Sequence, residues 1–170
     1  MKKSWSSILL LVIVVTLAGW ASTSPVRGGF LYVLNDVDGG PNQIYGYQVD
    51  ENSGAVTLLG GFPMSSGGNG SQNLMSQRMG YDPANARLYV INGGSNTLSA
   101  YSVDLDTGAL APMPFSPLAL PAGPAGQEPK RWAWGCVAVH PSGSPVVLGR
   151  DQMDVTTNSG QLAFVPTWSR

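Results

Sequence analysis

Thiol and imidazole are nearly absent from this sequence. One cysteine, Cys136, and one histidine, His140, stand among 170 residues. A lone thiol cannot close an intrachain disulfide, so no disulfide scaffold is available. With so few soft ligands, no zinc motif can be spelled. A Gly-x-Ser-x-Gly elbow is missing too, which removes the sequence support for a Ser–His–acid hydrolase. Charge is scarce at 11% of residues and the formal net charge is −1. That balance argues against nucleic acid, whose partners carry basic patches. Helix-period hydrophobic patterning is absent beyond the N-terminus, while 22 glycines and 13 prolines favour a turn-rich all-β chain.

The one long apolar run opens the chain. Lys2 and Lys3 precede a stretch, Ile8 to Leu17, that is nearly all apolar, and Gly19 and Ala21 follow as small residues. This is the pattern of an export signal over residues 1–21, and the run falls short of the ~20 apolar residues of a membrane span. The expectation is a secreted, periplasmic or cell-surface protein, with membrane attachment only if the segment is retained. Removing residues 1–21 deletes two lysines and no acids, leaving 7 basic and 10 acidic residues, a net charge of −3.

What the sequence does hold is a repeat. Leu31-Tyr32-Val33-x-Asn35 recurs as Leu88-Tyr89-Val90-x-Asn92, at an offset of 57. Tyr47-x-Val49-Asp50 and Gly54 recur as Tyr101-x-Val103-Asp104 and Gly108, at an offset of 54. The difference of three is a longer first hairpin, which holds Asp36-Val37-Asp38-Gly39-Gly40-Pro41. Short β-rich runs separated by Asn, Asp and Gly turns at this period mark a four-stranded unit repeated along the chain.

These phrases resemble the seven-bladed β-propellers of the lactonase family, which are similar to propeller-type 6-phosphogluconolactonase. Gly61-Phe62-Pro63, Met113-Pro114-Phe115-Ser116-Pro117, Asp82-Pro83 and His140-Pro141-Ser142-Gly143 resemble the family's linking and turn phrases. The resemblance covers roughly residues 29 to 149. It implies propeller blades of four antiparallel strands, repeating every 54–58 residues, and an activity that opens a sugar lactone. It carries over no catalytic residue and implies no cofactor. The alternative function is a non-catalytic repeat protein that binds a carbohydrate or another partner, or an inactive remnant.

Blades are expected at about 29–62, 77–117 and 132–166, within a partial propeller over 29–170. The first lacks its own first strand. Ser65–Asn73 reads as a polar surface loop, and Pro114–Pro129 as an extended surface connection. In the third blade Val146-Val147-Leu148 takes the place of Leu88-Tyr89-Val90, but Gly149-Arg150 stand where the repeat has Asn. Val155 to Gly160 resembles Val49 to Gly54 at an offset of 106, so the third hairpin is either shortened by half or mimicked by chance. Fewer than three full blades cannot close a ring, since closed propellers use about 4–8. Open blade edges then invite self-association, unless the chain is a piece of a longer propeller.

Each candidate for chemistry has a plainer reading beside it. His140 stands where the previous repeat has Asp82, so a turn position outweighs a general base. Asp36-x-Asp38-Gly39 begins like a calcium loop but lacks the later ligands, and a hairpin turn is preferred. Asp50, Asp104 and Asp106 read as turn formers. Arg78, Lys130 and Arg131 precede inner strands, where they can meet an anionic ligand or simply be solvated. Trp132 and Trp134 share a strand face and either line a pocket or pack between blades. Arg78, Arg131, Trp132 and Trp134 are thus the candidate ligand-binding residues. Cys136 is expected to be a buried, inert thiol.

Overall fold

The structure, a computed structural model, describes residues 28–71, 77–121, 134–144, 146–150 and 161–165. The expected signal segment, Lys130, Arg131 and Trp132 lie outside these residues. The described residues are all-β, in three antiparallel sheets with no helix.

Sheet 1 contains β1 (Phe30–Leu34), β2 (Pro41–Val49), β3 (Val56–Leu58) and β4 (Met64–Asn69). Sheet 2 contains β5 (Met79–Asp82), β6 (Arg87–Asn92), β7 (Thr97–Val103), β8 (Leu110–Pro112) and β9 (Leu118–Ala119). Sheet 3 contains β10 (Trp134–Val139), β11 (Val146–Arg150) and β12 (Gln161–Val165). The sequence repeat is a structural one. β1 and β2 pair as β6 and β7 do, and β3 and β8 pair with the C-terminal ends of β2 and β7. β4 and β9 then pair with the N-terminal ends of those same strands. β5 borders β6 and β10 borders β11.

Two apolar layers join the sheets in series. Strand β6 buries both faces because its side chains alternate between two neighbours. Leu88 and Val90 pack with Tyr101, Val103 and Ile44 against sheet 1. Tyr89 and Ile91 pack with Leu98, Trp134, Val137, Val146 and Leu148 against sheet 3. Burying each of these aliphatic side chains stabilises the stack by about 1.5–3 kcal/mol before ordering costs. β1 is as continuously apolar as β6, yet it is covered on one face among the described residues and exposes Leu31 and Val33.

Turn chemistry repeats with the strands. The Asp50 carboxylate accepts the N–H groups of Asn52 and Ser53, both at 2.9 Å. Asp104 does the same with Asp106 and Thr107, at 2.9 and 3.1 Å. Asp106 therefore enters the turn through its N–H. These backbone donors hold both carboxyls below the usual carboxylate range. The turns close on Gly54 and Gly108, at φ of 70° and 71°, where L side chains are strained. His140 is a turn former as well: its Nδ1 accepts the Ser142 N–H at 3.2 Å. Asp82 accepts the N–H of Ala84 at 3.0 Å in the equivalent turn.

Four expectations are corrected. Ser65 to Asn69, expected as the first part of a loop, belongs to strand β4, because Ser65 and Asn69 pair with Gln43 and Pro41. Leu118–Ala119 is strand β9 and not open connection. The third hairpin is longer, not shorter, since β11 pairs with Gln161–Val165 and Leu148 opposes Ala163. The likeness over Val155 to Gly160 lies outside the described residues. Finally, Cys136 is exposed. A register shift between Trp134 and Cys136 breaks the alternation, so Trp134 and Val137 both turn inward.

Candidate functional site

A groove runs between β1 and β5, where sheets 1 and 2 diverge. Its wider part, about 480 Å³, is lined by Phe30 and Tyr32 from β1, Met79 and Tyr81 from β5, and Leu88 and Val103 behind them. It continues past Tyr32 and Met79 into a second part of about 410 Å³, bounded by Asp36, Gln77 and Arg78. The reason for the groove lies in the repeat. β6 carries β5 along one edge, whereas the corresponding edge of β1 carries no strand among the described residues.

The apolar part ends on tyrosine. The Tyr32 hydroxyl donates to the carbonyl of Gly108 at 2.8 Å, and its ring lies 6.1 Å from that of Phe62. Burial pushes its pKa up to about 12, with Tyr81 and Asp104 adding to the effect. A neutral phenol held this way is an anchor and a groove wall, not a base at neutral pH.

The polar part is organised by Asp36. Its Oδ2 lies 3.0 Å from Nε of Arg78, and its Oδ1 accepts the Ser71 N–H at 3.2 Å. Arg78 is only 5% exposed, so this ion pair ties sheet 1 to the approach to β5 in a largely dry setting. Of the candidate ligand-binding residues, Arg78 borders the groove, held against Asp36. Trp134 does not: it is buried between sheets 2 and 3, and its indole N–H donates to the Pro121 carbonyl at 3.1 Å. Trp134 is therefore a packing residue. The Asp36 carboxylate thus serves a tertiary ion pair and a long-range backbone donor.

Behind the groove lies a buried polar hub. Asn92 Oδ1 accepts from Asn42 Nδ2 at 3.1 Å and from the Ser66 hydroxyl. Its Nδ2 donates to Thr97 Oγ1 at 3.1 Å and to Ser99 Oγ at 2.9 Å. All four hydrogen-bonding positions of one side-chain amide are filled, which fixes how sheets 1 and 2 meet.

No nucleophile–base pair among the described residues lines the groove; His140 Nδ1 lies 2.8 Å from Ser142 Oγ, but in an exposed turn that does not border it. Among the described residues no three His, Cys, Asp or Glu side chains converge as a metal group. Sequence reasoning missed Tyr32, Met79 and Tyr81 as groove residues. The available signal was the missing first strand of the first repeat, which predicts an uncovered edge. The fold and this edge define the class: an all-β repeat protein of antiparallel sheets stacked face to face. Comparison with protein-family models, with characterised proteins and with solved structures finds no match.

Proposed function

We propose that the three sheets are successive blades of a propeller-type repeat, and that the chain is an exported, non-catalytic binding module. Its ligand is an extended polypeptide strand laid along the free edge of β1. The supporting observation is the groove itself, open at the edge of β1 where β5 borders β6 in the next repeat. Strand addition supplies main-chain hydrogen bonds, and alternate side chains of the ligand enter the wall formed by Phe30, Leu88 and Val103. The Asp36–Arg78 end favours a polar residue there.

Lactone hydrolysis, the activity that the family resemblance implies, needs a base and a cation converging on one point. Here His140 is engaged in a turn, Asp82 accepts from Asn85, and Asp36 faces Arg78. These groups are spent on structure, which favours the binding reading.

The test is fluorescence anisotropy with a labelled peptide of alternating valine and threonine. Binding with a roughly micromolar Kd is expected, weakened about tenfold by Tyr81→Lys in the groove wall. A peptide that stays free at millimolar protein refutes strand binding. Turnover of a sugar lactone above the buffer rate refutes the non-catalytic reading.

A further inference from the structure

The face of sheet 1 turned away from sheet 2 is apolar, and among the described residues nothing covers it. Leu31 and Val33 are each 44% exposed, Val56 is 53% and Leu58 is 48%. The register sets Leu31 opposite Tyr47, Tyr47 opposite Leu58, and Val49 opposite Val56, so all six side chains share that face. Their equivalents in sheet 2 are buried. Leu88 and Val90, one repeat after Leu31 and Val33, are 3% and 0% exposed. Tyr101 and Val103, one repeat after Tyr47 and Val49, are 3% and 8% exposed. What buries them is the inner face of sheet 1. The repeat therefore states what fits the open face: the far face of another sheet of the same kind.

This chain carries such a face at its opposite end. On sheet 2, Gly80 faces sheet 3, close against Val137 and Val139, where an added Cβ would lie 3.2 and 3.3 Å from their methyl groups. Ala138 is the residue of sheet 3 equivalent to Gly80, at an offset of 58. It is exposed, as is Cys136 beside it, so the small-residue surface that receives the next sheet is presented outward.

We propose that the open face of sheet 1 docks the far face of sheet 3 in a second copy of this chain, head to tail. The inference rests on the reading of the sheets as equivalent successive blades. Both halves of the joint lie on one chain, so the contact is heterologous, and copies add until a ring closes or a filament grows. The joint extends the existing sheet 1–sheet 2 interface by one more step of the same repeat.

Complementation tests it. Light scattering behind gel filtration is run on the full chain, on Val33→Asp and on Ala138→Asp, with circular dichroism on each peak. The unsubstituted chain is expected as an oligomer. Each variant is expected as a β-rich monomer, its association weakened roughly a hundredfold by an unpaired carboxylate in the joint. An equimolar mixture of the two is expected to form a dimer, because one sound head and one sound tail remain. Val56→Asp and Cys136→Asp, also at exposed positions of the two faces, serve if either first variant loses its β signal. A monomeric unsubstituted chain overturns the proposal. So does an Ala138→Asp protein that still associates fully, which would mean that two sheet 1 faces meet each other. A mixture that stays monomeric overturns it too. Peptide binding by a monomeric chain would leave the binding function standing while this joint falls.

Discussion

Replacing Asn92 by alanine should cost far more than the same change at Asn35, although the two asparagines occupy the same place in the repeat. Asn35 is on the surface and its side chain accepts one bond, from the Gln43 N–H at 2.8 Å. Its loss should cost about 0.5–1.5 kcal/mol, the net worth of an ordinary hydrogen bond. Asn92 is fully buried, with Asn42, Ser66 and Ser99 buried around it. Its removal strands two donors, Asn42 Nδ2 and the Ser66 hydroxyl, which both point at its Oδ1. Ser99 still donates to the Ser66 carbonyl and is spared. Two orphaned buried donors at about 1–3 kcal/mol each give about 2–6 kcal/mol. That is a large share of the ~5–15 kcal/mol by which a domain is stable. Urea unfolding followed by circular dichroism reads the difference. With a slope of about 2 kcal/mol per molar, Asn92→Ala should lower the midpoint by about 1–3 M and Asn35→Ala by well under 1 M. Equal midpoint shifts would refute the reasoning, for the hub would then contribute nothing beyond a surface turn.

Two further outcomes follow from the turns. Gly54→Ala meets only backbone strain, since nothing lies within 4 Å of an added Cβ, whereas at Gly108 that atom would lie 2.5 Å from the Phe30 ring and 2.8 Å from Leu59. Thermal melts should show Gly54→Ala costing about 1–2 kcal/mol and Gly108→Ala about 1–3 kcal/mol more; similar melting temperatures would contradict the close packing of that turn on β1. Asp50 and Asp104 have carboxyls held below their ordinary value, so the stability they add is present above the unfolded-state pKa and is lost as pH falls through the lower folded-state one. The melting temperature should therefore decline below about pH 4, and Asp50→Asn with Asp104→Asn should flatten that decline; an unchanged slope would exclude the turn carboxylates as its source.

The strands that were legible in the sequence are those whose cause is local. Leu31–Val33 and Leu88–Val90 announce themselves by β-branched and aromatic residues before turns rich in Asn, Asp and Gly. The role of His140 was legible too, because comparison with Asp82 marks a turn position. β4 was not, since Ser65, Ser66 and Gly67 carry no apolar side chain to advertise a strand. Its pairing is set by neighbours: Ser66 bonds Asn92, and Gly68 lies so close that an added Cβ would meet the Asn92 side chain at 2.6 Å. The orientation of Cys136 was hidden for a different reason. Strict alternation places it opposite Val137, but also predicts one face for Trp134 and Cys136, and only the register shift separates them. The groove was visible just as a gap in the repeat, and Tyr81 became a groove residue once β5 stood beside that gap.

The outer position of sheets 1 and 2 is filled in two pieces. β3 and β4 divide the edge of β2 between them, and β8 and β9 divide the edge of β7. Pro63 and Pro117, which have no N–H to offer, stand just before the second piece of each. An amyloid-type template needs a long, flat, unbroken line of donors and acceptors. Here the rim presents short segments interrupted by proline, which cannot seed runaway strand-by-strand growth. A protein that repeats one β unit along its length is at particular risk of pairing with itself in the wrong direction. The fractured rim closes that route at the outer edges of sheets 1 and 2, and leaves the edge of β1 and the broad faces as the surfaces open to a partner.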